Sequence, residues 1–245
     1  MSETTMNEKV ILLVGKSTAG KSASLRHLRN PEEVVYLNCD AGKRLPFKSK
    51  FTEHTITDPL QVVEAIQHYE NDDSKKVIVI DTITFLMDMY EALYVQTAAD
   101  TRKAWGHFAM YWKELMQKHI AGSSKTFILI AHTLEVMNES EMVLETKVPI
   151  KGALKNQGIE AYFTVVVAAK RVRTKDLDKY KEGNNLLNVT EEENMLKFKH
   201  VIQTRINADT VHERLRSPLD LFSLQETFID GNMQAVIDRL DEFYE

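Results

Sequence analysis

The 245-residue chain has a single cysteine, Cys39. That excludes a disulfide framework and any zinc centre built from several thiolates. A chain of this length buries about 70% of its unfolded surface without such staples, and it suits one large domain. Long apolar runs are missing too. None approaches the roughly 20 residues of a membrane span, so no membrane partner is expected. The opening Met1-Ser2-Glu3-Thr4-Thr5 is polar and has no basic segment leading into an apolar one, so no signal peptide is expected and the expected location is the cytoplasm. Positive charge is not in excess: 31 Lys and Arg against 36 Asp and Glu give a formal net charge of −5. Attraction of the whole molecule to nucleic acid is therefore not expected, although a local basic face can still hold phosphate. Glycine (9) and proline (5) are scarce, so glycines that fall together carry information.

What is present alternates. Val10–Val14, Val34–Leu37, Lys76–Asp81 and Thr126–Ala131 are short apolar runs of the kind buried on both faces of a sheet. Helical spacing is found between them, at Asp58–Tyr69, Ile83–Val95 and Thr101–Ile120, and Ser22–Arg29 has helical character. Ala161–Arg171 and Leu196–Thr204 predict two more strands with no helix between them, hence an antiparallel edge. The polar stretch at about 174–195 predicts an exposed loop or hairpin arm, and about 234–244 a terminal amphipathic helix. The expected fold is α/β, a mainly parallel sheet flanked by helices with an antiparallel edge hairpin, in one domain over 1–245.

Gly15-Lys16-Ser17-Thr18-Ala19-Gly20-Lys21-Ser22 fits the phosphate-loop pattern G-x-x-x-x-G-K-S/T, between a predicted buried strand and a predicted helix. Backbone N–H groups of such a loop face the phosphates, and the following helix adds its positive end. Lys21 is placed to reach the β and γ phosphates of ATP, and the Ser22 hydroxyl to ligate Mg²⁺. Asp81 ends a buried strand at the carboxyl edge, where open α/β sheets bind ligands. A carboxylate there holds Mg²⁺ through its water shell or caps the next helix, and both roles stay open. The residue after it is Thr82, so the water-activating group has to come from elsewhere. Asp40, just after the second strand, is a candidate base or a turn aspartate. His132 ends the fourth strand as a γ-phosphate contact or a hydrogen-bonded strand end.

In this order the motifs resemble the RecA-like recombinase ATPases, and more narrowly the small phage-encoded nucleotide-binding proteins of that core, which include RecA-type single-strand annealing proteins. The resemblance covers roughly 8–205. Gly15–Ser22 is similar to that family's Walker A motif and Val77–Thr82 to its Walker B motif. Asp40 falls where the recombinases carry a catalytic Glu, and His132 at their sensor position. The resemblance implies Mg-dependent ATP hydrolysis by Lys21, Asp40, Asp81 and His132, with Ser22 and Asp81 at the metal. It also implies assembly into a homo-oligomeric ring or filament, and single-stranded DNA as a partner in phage recombination, annealing or repair, in the host cytoplasm. A single-strand DNA-binding protein would be a further partner. The segment Glu135–Glu160 resembles the one that carries a mobile DNA-binding loop.

In such assemblies a cation at the end of the fifth strand reaches the neighbour's γ-phosphate, so Lys170, Arg171, Arg205 and Arg214 are candidate fingers acting in trans. Lys43, Arg44 and Lys48, interleaved with Phe47 and Phe51, are candidates for DNA contact, as are Lys151 and Lys155. Two other readings remain open. One is a nucleotide-dependent assembly or switch protein whose partner is a protein. The other is a small-molecule kinase, although no arginine-bearing lid is visible.

Overall fold

The computed structural model describes residues 6–156 and 158–244. The opening segment Met1–Thr5, read above for a leader, lies outside them. Among the described residues ten strands form: β1 (Val10–Gly15), β2 (Val34–Asn38), β3 (Thr52–Thr55), β4 (Val77–Asp81), β5 (Thr126–His132), β6 (Leu134–Asn138), β7 (Val143–Lys147), β8 (Val165–Arg173), β9 (Phe198–Gln203) and β10 (Phe228–Asp230). Six α-helices accompany them: α1 (Leu60–Glu70), α2 (Ile83–Tyr90), α3 (Thr101–Glu114), α4 (Thr174–Leu177), α5 (Glu191–Leu196) and α6 (Met233–Tyr244). Both α2 and α3 run on into π-helical turns, at Glu91–Val95 and Leu115–Ile120.

Eight strands make one sheet in the order β10-β9-β8-β1-β5-β4-β2-β3. The pairs from β8 to β3 are parallel, and β8-β9 and β9-β10 are antiparallel. Alternation along each strand sends side chains to opposite faces. Thus Leu12, Val14, Ile78 and Ile80 join Phe108 and Trp112 of α3 on one side, while Ile11, Leu13, Val79 and Ile130 join Val236 and Leu240 of α6 on the other. Helices on both faces explain why these strands read as continuous apolar runs. The architecture is that of an α/β P-loop NTPase, a mostly parallel sheet with an antiparallel edge hairpin. No helix among the described residues is long and apolar enough to cross a membrane.

Several expectations change. Ser22–His27 is a 3-10 helix that stops at Leu28, which is extended (φ −59°, ψ 126°). The Ser24 hydroxyl donates to the Lys21 carbonyl (2.6 Å), Asn30 is left-handed and Pro31 follows, three features that oppose an α-helix. β8 begins at Val165 rather than near Ala161, because 160–162 form a 3-10 turn. The segment expected as a loop after His132 is an antiparallel hairpin, β6-β7. The stretch 174–195 is not an exposed arm. Leu177, Tyr180 and Leu187 are buried against Val201 and Phe228, so this segment folds back over the antiparallel edge of the sheet.

Candidate functional site

Register brings the site together. In the parallel ladder Gly15 lies beside His132, and Asp81 lies between Ile130 and Asn38. The phosphate loop, the histidine that ends β5 and the strand-end aspartate thus share one carboxyl edge, with β5 between the P-loop strand and the strand of Asp81. Thr18 (φ +64°) and Gly20 (φ +96°) take left-handed conformations within the loop, the kind of turn that gathers N–H groups into an anion-binding concavity. At Gly15 a side chain would meet the Ala169 carbonyl oxygen at 2.7 Å, so β8 leaves room for glycine alone. Since only a short 3-10 segment follows, the loop's own N–H groups supply more of the phosphate attraction than a helix end does.

A cleft of about 780 Å³ opens at this edge. Lys21 is buried, and its ammonium donates to Gly15 O and Lys16 O (both 2.9 Å) and lies 3.3 Å from His132 Nδ1. The Ser22 hydroxyl donates to Asp81 Oδ2 (2.7 Å), and the Tyr36 phenol donates to the same oxygen (2.8 Å). Burial pushes the Asp81 carboxyl above its usual range, against the pull of Ser22, Tyr36 and Lys21. Burial, helped by the Lys21 charge, pushes His132 below its usual range, which favours the neutral ring. With Nδ1 accepting from Lys21, Nε2 carries the ring proton and is a donor suited to a phosphate oxygen. The His132 amide donates to Thr84 Oγ1 (3.0 Å), and the ring packs edge-on against Phe85.

Asp40 lines the same cleft. Its turn is built by Asn38, which is fully buried: Asn38 Oδ1 accepts from the Asp40 amide (3.0 Å), and Asn38 Nδ2 donates to Lys43 O (2.8 Å) and Glu53 (3.1 Å). Tyr36 and Asn38 are site residues that sequence reasoning missed. The available signal was a phenol and an amide inside an otherwise aliphatic strand.

These residues fit ATP and Mg²⁺. A buried ammonium folded onto the loop's own carbonyls is placed to meet an anion, and a hydroxyl meets a carboxylate at 2.7 Å beside it. Among the described residues no three His, Cys, Asp or Glu gather to hold a metal. Mg²⁺ keeps several waters and is held by one or two carboxylates plus substrate phosphates, a demand that Asp81 beside the Ser22 hydroxyl can meet. Ser22 and Asp81 would hold it, and when bound it would neutralise charge on the phosphates.

The remaining candidates are dispersed. Lys170 pairs with Glu213, Arg214 with Glu145 and Glu160, and Arg205 donates to Phe222 O (2.6 Å). Arg171 is exposed, makes no ion pair among the described residues and packs 5.5 Å from the Phe198 ring centroid. Lys151 pairs with Asp88 and Glu91, which occupies it within the chain. Lys48 and Lys155 are exposed, and Lys43 and Arg44 stand at the cleft.

A family model described as the AAA domain matches residues 7–203, from just before β1 to the end of β9. The chain belongs to this family of P-loop ATPases. No curated protein matches the chain. Nucleotide binding by the AAA-type ATPase then accounts for the loop, the cleft and the Ser22–Asp81 pair together.

The buried ammonium gives this ATPase a pH signature. Burial lowers the Lys21 pKa to about 8, with Asp81 opposing and Lys43 assisting. Bound phosphates favour the charged form, so above about pH 8 binding must take up a proton. ATP affinity is expected to be level up to that point and then to fall by up to about tenfold per pH unit. Titration calorimetry in two buffers of different ionisation enthalpy measures both affinity and proton uptake. An affinity flat to about pH 9.5 would contradict this account.

Proposed function

We propose that the chain is a RecA-like ATPase that hydrolyses ATP with Mg²⁺ and acts on single-stranded DNA in phage recombination, annealing or repair. The observation that carries the hydrolytic part is the register, which aligns Lys21, His132, Asp81 and the Asp40 turn around one cleft. Lys21 and the loop hold the phosphates, Ser22 and Asp81 hold the metal, His132 contacts the γ-phosphate and Asp40 orients or deprotonates the attacking water. Of the four finger candidates, Arg171 is the one left for a neighbour's nucleotide, in a homo-oligomeric ring or filament. The DNA part is supported by the exposed Lys43, Arg44, Lys48 and Lys50. Two of them, Lys43 and Arg44, line the nucleotide cleft, so a strand bound there would sense the nucleotide.

A second reading, a switch ATPase with a protein partner, is favoured by the β6-β7 hairpin. It follows His132 directly and exposes Leu134, Met137, Met142 and Leu144 beside Glu139 and Glu141. Such an apolar, acidic surface suits a protein better than a phosphate backbone.

Phosphate release with and without an oligonucleotide separates the two. The DNA reading expects stimulation at low salt that fades steeply as salt rises, because each phosphate contact releases counterions. It also expects binding to weaken when Lys43, Arg44 and Lys48 are replaced by Ala together. No binding to single-stranded DNA with an ATP analogue and Mg²⁺ at low salt would leave the protein-partner reading.

A further inference from the structure

The cleft is larger than a triphosphate needs, and its far half is walled by Asn188, Thr190 and Glu193, from the stretch expected to be a surface arm, and by Leu196, Phe198 and His200, from the expected strand that follows. Ser22, Asp81 and His132 mark the metal and γ-phosphate end. A nucleotide threaded through the loop with its γ-phosphate there leaves its ribose and base at the opposite end. At that end His200 lies on the loop: its Nδ1–H donates to Ala19 O (3.0 Å), and a Cβ on Gly20 would come within 3.1 Å of the ring. Phe198 stands two residues along the same strand, its ring edge-on to His200 at 5.8 Å. Leu196 reaches the cleft beside them, 54% exposed.

The wall is built to hold its place. Lys199, 6% exposed, bonds Glu193 (2.7 and 2.9 Å) and lies 3.1 Å from Asp230. The Asn188 amide also donates to Asp230 (3.0 Å), and Thr190 and Glu193 close a capping box on α5. These bonds tie 188–196 to the edge strands β9 and β10. Arg171, which lies outside the cleft, packs on Phe198 from its own side. An exposed leucine and a half-buried phenylalanine kept beside a phosphate loop are a surface for a flat, apolar-faced group.

We propose that this wall is the nucleoside site: the base of the bound nucleotide stacks on Phe198 and Leu196, and His200 sits where the triphosphate meets the ribose. The inference rests on the reading of Gly15–Ser22 as the phosphate site and adds the part that recognises the nucleoside. Stacking engages any base, since every base has a π-face, so the site selects a nucleoside over bare polyphosphate more strongly than one base over another.

The test compares ATP with inorganic tripolyphosphate, each titrated with Mg²⁺ into the full chain and into Phe198→Ala and Leu196→Ser. ATP affinity is expected to fall about tenfold in Phe198→Ala and less in Leu196→Ser, with tripolyphosphate affinity unchanged in both. Unchanged ATP affinity in both variants would overturn the proposal. An equal loss of both ligands would also overturn it, because the wall would then only be supporting the loop. Should the unaltered chain bind neither ligand, the phosphate-site reading itself would fail. A second measurement needs no variant. The emission of 2-aminopurine riboside triphosphate is expected to be quenched on binding to the unaltered chain, and an unquenched bound probe would sink the idea.

Discussion

Asp81→Asn is expected to abolish most ATP turnover while leaving the ligand-free fold as stable as before, or more so. The carboxylate is 4% exposed, and burial is the main influence on it, pushing its pKa up. Without a bound cation the folded protein therefore holds this charge at a cost. The asparagine amide oxygen can still accept from Ser22 and Tyr36, whose hydroxyls both point at one oxygen of Asp81, so no buried donor is orphaned. On the proposed function, what is lost is the negative charge that would hold Mg²⁺. A fall in turnover of about 10²–10³ is expected, as for the loss of one group that stabilises charge in a transition state. The melting temperature should hold, or rise by about 2–4 °C for each kcal/mol of relieved burial.

The pH dependence of stability sharpens that expectation. A carboxyl whose folded pKa exceeds its unfolded one, near 3.8, binds more protons in the folded state. It stabilises the fold fully below the unfolded value, and that contribution is lost as pH rises through the folded value. Ligand-free protein should therefore lose stability across that window, and Asp81→Asn should lack this part of the slope. Melting scans at several pH values, with and without Mg²⁺ and ATP, read both effects. A variant that melts well below the parent at neutral pH would show that the charge stabilises the fold, against this reasoning.

The parts of the site legible in the sequence are those where chemistry and local structure coincide within a few residues. Gly15–Ser22 follows an uninterrupted apolar strand, and Asp81 ends another. Strands buried on both faces announce themselves by composition, so β1, β2, β4 and β5 were expected nearly where they occur. By contrast β3, Thr-Glu-His-Thr, is half-exposed to exposed and pairs with β2 on one side only. Its backbone bonds to β2 need no apolar pattern. The β6-β7 hairpin was hidden for the opposite reason: its apolar residues face outward on a two-stranded sheet and mimic no core. The segment 174–195 buries three apolar residues, Leu177, Tyr180 and Leu187, with Thr174 and Asn184, among many charges. Three apolar residues in so long a polar stretch are too few to stand out as a helical or strand stripe. Lys199 reads as one more cation in LKFKH, yet its burial between Glu193 and Asp230 is what fixes the cleft wall. Contacts between segments distant in the chain leave no local trace, which is why the phosphate end was readable and the opposite end was not.

Asp40→Asn should lower turnover by about 10²–10⁴, the range contributed by a positioned general base, with ATP affinity changed by only a few-fold. The geometry makes this a clean substitution. The turn that carries Asp40 is held by the Asn38 side chain and by the bond from the Lys43 amide to the Asp40 carbonyl (2.9 Å). The Asp40 carboxylate itself contacts Lys43 at 3.6 Å, a partly exposed pair worth little to the fold. Removing the charge therefore leaves the turn standing and tests the chemistry alone. Reach is the second variable. Asp40→Glu keeps the carboxylate and adds one methylene, so activity at or above the parent's level would mean that the longer arm serves the attacking water, as the recombinase resemblance implies. Activity as low as that of Asp40→Asn would mean that the position of the carboxylate is set by the short side chain. Steady-state phosphate release, paired with nucleotide affinity on each variant, distinguishes these results. If Asp40→Asn turned over ATP at the parent's rate, Asp40 would be a turn residue, and the activating group would have to come from another segment or from a neighbouring copy.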